Sequence, residues 1–292
     1  MTFPKITNEG TLRCAWQSIT AATGADWQSI GGFGGLFQDE TGCPSDLEQL
    51  IGGHADLSLA ARALACGTAI DPEAVQLLLP LPNPGKIICI GLNYVDHSAE
   101  VGIALPDYPT VFAHFSSSLT GQAAPAAVPR QSIQFDYEGG LAAVIGQGGR
   151  NISREQARDH VAGYSIFNDI TVRDYQFRNP QWTIGKNFDS TGVFGPAFVT
   201  ADALPPGFKG LDLTTRLSGE VVQHALITAM VVDVGTLVSL LIHVFPLSLG
   251  DMIVTGTPSG IGMSGKPPLW MKPSDVGEVE ILSLGVLRTP IT

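Results

Sequence analysis

The stretch "FDYEGGLAAVIG", residues 135–146, decides how this chain is read. Its apolar part has strand length and is bounded by glycines. Side chains alternate along a strand, so positions 136, 138 and 140 share one face. Two of them are carboxylates, Asp136 and Glu138; the third is Gly140, with Gly139 beside it. A row of carboxylates on one face suits a hard cation, and this row stops one residue short.

The rest of the chain sets bounds on that reading. With 292 residues, 44 % apolar and 15 % charged, it has the composition of a globular protein with a sizeable core. The net charge of −11 argues against a nucleic-acid backbone or an anionic membrane as partner. The run "HALITAMVVDVGTLVSLLIHVFPL", 224–247, has the length of a membrane span, but Asp233, Gly235, His243 and Pro246 make it a core segment. "MTFPKITNEGTLR" lacks the apolar region of a secretory signal. Cys14, Cys43, Cys66 and Cys89 form no C-x-x-C pair, so reduced thiols in a cytoplasmic protein are expected.

Two domains are expected, 1–80 and 81–292. The first has a net charge of −6 and a Gly-rich stretch over 24–43. It should also hold a helix from about Asp46 to Ala65, with Ser45 and Glu48 as a capping box. The Pro-rich "LLLPLPNPGK", 77–86, reads as the joint. Beyond it, "KIICIGLNY" and "YSIFNDIT" read as strands and "VVDVGTLVSLLIHVF" as a helix, with "VGEVEILSLGVLRTPI" as a closing hairpin. "SREQARDHVAG" reads as a helix capped by Ser153 and Gln156 and stopped at Gly163. Strands dominate without strict βαβ alternation, which gives a mixed, β-rich α/β fold.

Several motifs carry no chemistry. "GIGMSG", 260–265, fits a dinucleotide fingerprint, but "KPPLW" follows where a helix must open. Neither a P-loop nor a nucleophile elbow occurs.

Three motifs do. In "NYVDHSAE", His97 and Glu100 are spaced to meet on one helical face, and a carboxylate beside an imidazole suits a general base. "NDITVRDYQ" gathers Asp169, Arg173, Asp174 and Gln176; Asp169 could share a cation with Glu138, and Arg173 and Gln176 could bind a carboxylate or carbonyl oxygen. In "QWTIGKNFD", Gly185 lets the backbone beside Lys186 approach a ligand. By spacing alone the plainer reading, a surface ion pair for the first and loop capping and salt bridging for the second, is favoured, and the third signal is weak.

Together with "QWTIGKNFDSTGVFGP", "LGDMIVTGTPSGIG" and "PPLWMKPSDVGEVEI", these segments resemble the fumarylacetoacetate hydrolase family, in the same order, over about residues 86–291. The resemblance implies a rolled mixed sheet, a small variable N-terminal domain and a homodimer. It implies Mg²⁺ or Mn²⁺ chemistry on a small carboxylic acid, a 2-oxo or β-diketo acid of the kind met in aromatic catabolism. The family's metal ligands map to Glu138, Gly140 and Asp169. Its water-activating pair maps to His97 and Glu100, on a segment that often orders as a lid. Its substrate and oxyanion contacts map to Arg173, Gln176, Lys186 and Thr257.

Gly140 replaces the second glutamate, so the ion should be held weakly or lost, and a glutamate restored there should tighten it unless the pocket has filled that space. His114 departs from the Arg or Lys of relatives, which bears on substrate choice. The favoured reading is C–C hydrolysis of an acylpyruvate: His97 and Glu100 activate water, and Lys186 stabilises the oxyanion. The alternatives are a tautomerase, a decarboxylase, a ring-forming enzyme on the same site, or a non-catalytic homologue that binds a small acid.

Overall fold

The computed structural model describes residues 5–8, 11–14, 51 and 76–292. The Gly-rich stretch 24–43 and, apart from Ile51, the helix expected over 46–65 lie outside the described residues. Strands β1 (Lys5–Asn8), β2 (Thr11–Cys14) and β3 (Gln76–Leu78) form an antiparallel sheet in the order β2-β1-β3.

The body of the protein starts with β4 (Ile87–Gly91), α1 (Val95–Val101), β5 (Thr110–His114) and β6 (Leu119–Thr120). The stretch 135–146 is not one strand. It forms β7 (Phe135–Asp136) and β8 (Gly139–Ile145), with Tyr137 and Glu138 between them. There follow α2 (Arg154–Ala157), β9 (Val161–Asp169), β10 (Thr171–Val172), α3 (Arg173–Gln176), α4 (Thr183–Lys186) and β11 (Gly192–Thr200). The chain closes with β12 (Asp212–Leu217), β13 (Glu220–Leu226), α5 (Val234–Val244), β14 (Met252–Val254) and the hairpin β15 (Val276–Ile281) and β16 (Gly285–Pro290).

Seven strands make one mixed sheet in the order β5-β4-β14-β8-β9-β11-β6. Register shifts in the β8–β9 and β9–β11 pairs bend it. A second, antiparallel sheet, β13-β12-β15-β16, packs on β9 and β11. The large sheet is buried on both faces, which is why its strands read as continuous apolar runs. In β4, Ile88 and Ile90 enter one core cluster while Ile87 and Cys89 enter another.

Gly163 lies inside β9 instead of ending a helix. A Cβ there would collide with the Val199 carbonyl and the Phe198 ring, so the glycine serves close strand approach. The helix expected from residue 153 is only one turn, and the Ser153 side chain does not cap it. The apolar run 224–247 supplies β13 and α5, whose Val234, Leu237, Val238, Leu241 and Ile242 are buried. No helix among the described residues is long and apolar enough to cross a membrane.

Asp233 caps α5 by accepting the Thr236 N–H at 2.8 Å. Asp233→Ala removes that cap, and the loss expected in urea unfolding is about 1 kcal/mol. Full retention of stability would mean that core packing alone sets the start of this helix.

Candidate active site

The site forms where the break between β7 and β8 meets the end of β9. The Glu138 N–H donates to Asn168 Oδ1 at 3.0 Å, and the Glu138 carbonyl accepts the Asp169 N–H at 2.9 Å. This cross-strand clamp holds the Glu138 and Asp169 carboxylates near each other. Lys186, at the end of α4 and 1 % exposed, places its Nζ 2.8 Å from Glu138 Oε2 and 3.0 Å from Asp169 Oδ2. The Phe112 ring covers the ammonium at 4.9 Å.

Arg173 opens the single turn of α3 and meets three partners. Its Nε donates to Asp136 Oδ2 at 2.8 Å, and its Nη1 donates to Gln176 Oε1 at 2.9 Å. Its Nη2 lies 2.7 Å from Glu138 Oε1, an ion pair whose geometry is bent away from a hydrogen bond. Asp136 also accepts the N–H groups of Gly262 and Met263, so "GIGMSG" serves as a backbone clamp on a carboxylate. Burial alone would push Glu138 up, but Lys186 and Arg173 outweigh it and hold the carboxyl down at about 2. Asp136 and Glu138 raise Arg173 further, against its burial.

His97 and Glu100 come together on α1, with His97 Nδ1 3.4 Å from Glu100 Oε2. Glu100 Oε1 accepts the Gly260 N–H at 2.9 Å, which ties this helix to the loop after β14. Among the described residues, none hydrogen-bonds His97 Nε2. A small cleft of about 30 Å³ is lined by His97, Glu138, Arg173, Gln176 and Thr257, with apolar walls from Ile90, Phe112 and Trp182. Lys186, Asp169 and Glu100 do not line it; Lys186 and Asp169 are buried behind the groups that do, and Glu100 is exposed.

Two contributors went unassigned in the sequence. His114 is a neighbour of Asp169, with Nε2 2.8 Å from Oδ1, and its Nδ1 meets Ser118 Oγ at 2.9 Å. Only its departure from relatives marked it. Gln223 donates to Thr257 Oγ1 at 2.8 Å from another sheet, and nothing in "EVVQHAL" signals this.

Cys89, His114 and Asp169 bring one ligand atom each within 4.8 Å of one another, a set that could hold a metal ion. Burial, with Asp169 and Glu138 nearby, pushes the Cys89 thiol up and keeps it protonated. The oxygen donors that Mg²⁺ or Mn²⁺ requires do not fit here. All four oxygens of Glu138 and Asp169 already face protein donors. Position 140 offers no oxygen, and a Cβ there would stand 2.7 Å from the Gly256 carbonyl. The Gly256 carbonyl fills the space where a restored glutamate would start, which is the exception named for the expected gain in ion binding.

The held-down Glu138 carboxyl makes stability depend on pH. Its contribution is complete above its ordinary 4.5 and is lost as pH falls towards about 2. Glu138→Gln should lose about 3 kcal/mol at pH 7, since a buried pair loses one charge. The gap between native protein and variant should narrow below pH 4.5 in urea titrations; a gap independent of pH would contradict the buried ionised carboxylate.

The model of the fumarylacetoacetate (FAA) hydrolase C-terminal domain matches residues 86–292. The mitochondrial oxaloacetate tautomerase fahd2 of Xenopus laevis is 40 % identical over 242 residues, covering 82 % of this chain and 76 % of the relative. Its Homo sapiens counterpart FAHD2A is 39 % identical over 238 residues, covering 80 % and 76 %. Among solved structures, fumarylacetoacetate hydrolase from Exiguobacterium antarcticum superposes with a TM-score of 0.83 at 31 % identity, over 100 % of this chain and 99 % of that one. A 2-hydroxyhepta-2,4-diene-1,7-dioate isomerase from Mycobacterium marinum gives 0.73 at 27 %, over 100 % and 98 %. The family's members typically bind a divalent metal and act on small carboxylic acids. Sequence, fold and the order of the site segments agree: this chain is a fumarylacetoacetate hydrolase family enzyme.

Proposed function

We propose that this chain interconverts the keto and enol forms of a small 2-oxo acid, with a dicarboxylate of the oxaloacetate type as first candidate. The observation that carries this reading is Arg173 Nη2, a buried donor on the cleft wall without an aligned acceptor. Beside it, Gln176 accepts from Arg173 Nη1 through its Oε1 and lines the same cleft. A guanidinium edge with a neighbouring amide suits a substrate carboxylate. Relatives named oxaloacetate tautomerases support the reaction class over C–C hydrolysis.

The chemistry needs one base on the cleft wall. Glu138 is a poor one, because two cations hold its proton affinity down. His97 has one ring nitrogen oriented by Glu100 and the other free. Its Nε2 takes the hydrogen from C3, the electron pair enters the C2–C3 bond, and the 2-oxo oxygen becomes an enolate. Thr257 Oγ accepts from Gln223 and keeps its own hydrogen for that oxygen. The imidazolium then returns the proton to oxygen. One Glu100 oxygen meets the His97 ring and the other the Gly260 N–H, so Glu100 orients the ring. C–C hydrolysis is the second reading, because the same His97 nitrogen could deprotonate a water.

The test follows decay of enol absorbance with oxaloacetate. His97→Gln should lower kcat by about 10²- to 10⁴-fold. Arg173→Leu should raise KM more than it lowers kcat. Undiminished turnover in both variants would place the chemistry elsewhere, and rapid cleavage of acylpyruvates by the native protein would favour hydrolysis.

A further inference from the structure

We propose that the Lys186 ammonium is the resident cation of this site and that the chain works without a divalent ion. Nζ lies between Glu138 and Asp169 and takes one oxygen of each, at 2.8 and 3.0 Å. The other two oxygens lie against Arg173 Nη2, as an ion pair without an aligned hydrogen bond, and against His114 Nε2, at 2.7 and 2.8 Å. Every carboxylate oxygen of the pair thus already faces a protein nitrogen, which an incoming ion has to displace or share.

Charge leads to the same conclusion. Asp136, Glu138 and Asp169 are faced by Arg173 and Lys186, so the buried acids exceed these two fixed cations by one. A glutamate at 140 would raise the excess to the two charges that a divalent ion offsets. With glycine there, an ion must expel the ammonium, yet Lys186 is 1 % exposed and lies under Phe112. Stripping a buried carboxylate pair of its cation is costly unless the replacement is coordinated well, and the third oxygen is missing. The inference concerns the donor set and stands apart from the reaction proposed above.

Mn²⁺ supplies the readout through its electron paramagnetic resonance signal. Titrated into the native protein, it should keep the signal of the free ion, and prior treatment with EDTA should change neither the melting temperature nor turnover. Lys186→Met frees one oxygen on each carboxylate, so the free-ion signal should fall as this variant is added. Lys186→Gln, which keeps a hydrogen-bonding amide, serves if the methionine variant does not fold. Saturable Mn²⁺ binding by the native protein would overturn the proposal. So would the absence of any gain in the folded lysine variants, because the ammonium would then not be what keeps the ion out. A thiolate-to-metal absorption band on adding Co²⁺ to the native protein would also overturn it, by placing an ion on Cys89, His114 and Asp169.

Discussion

The ammonium of Lys186 between Glu138 and Asp169 is the contact on which the site depends. Two carboxylates meet where β8 begins and β9 ends, and neither could stay ionised there alone. Lys186 neutralises part of that charge from behind, and Arg173 continues the ladder from Glu138 to Asp136. Asp136 is in turn tied to the Gly262 and Met263 N–H groups. Strand, helical turn and loop are therefore locked by one buried ionic chain. Buried pairs of this kind contribute less to net stability than to a unique arrangement.

That arrangement divides the labour between supporting and exposed groups. Lys186 and Asp169 stay behind the wall and set its field. The cleft itself presents His97, Arg173, Gln176 and Thr257, four groups suited to a carboxylate and a migrating proton. The link from Glu100 to the Gly260 N–H holds α1, and with it His97, over the cleft.

Much of this was legible in the sequence because local spacing carried it. His97 and Glu100 are three residues apart on one turn, and so are Arg173 and Gln176; both pairs meet. The apolar strands and a helix within 231–245 were readable as apolar runs, whereas the Asp233 cap was not read. What could not be read depends on distant chain. The break at 137–138 arises because Glu138 pairs with Asn168 and Asp169. The closure over Gly140 comes from the Gly256 backbone, 116 residues away. Gln223 reaches Thr257 from another sheet. Gly163 looks like a helix stop in sequence and is a strand-packing position in space.

In the proposed reaction a proton moves at the carbon beside the 2-oxo group while the carbon skeleton stays whole. Proton magnetic resonance of oxaloacetate with the enzyme in D₂O tests it most directly. The account predicts enzyme-accelerated loss of one C3 hydrogen signal, with the four-carbon acid otherwise intact. Accelerated formation of shorter acids without exchange into the remaining substrate would contradict it.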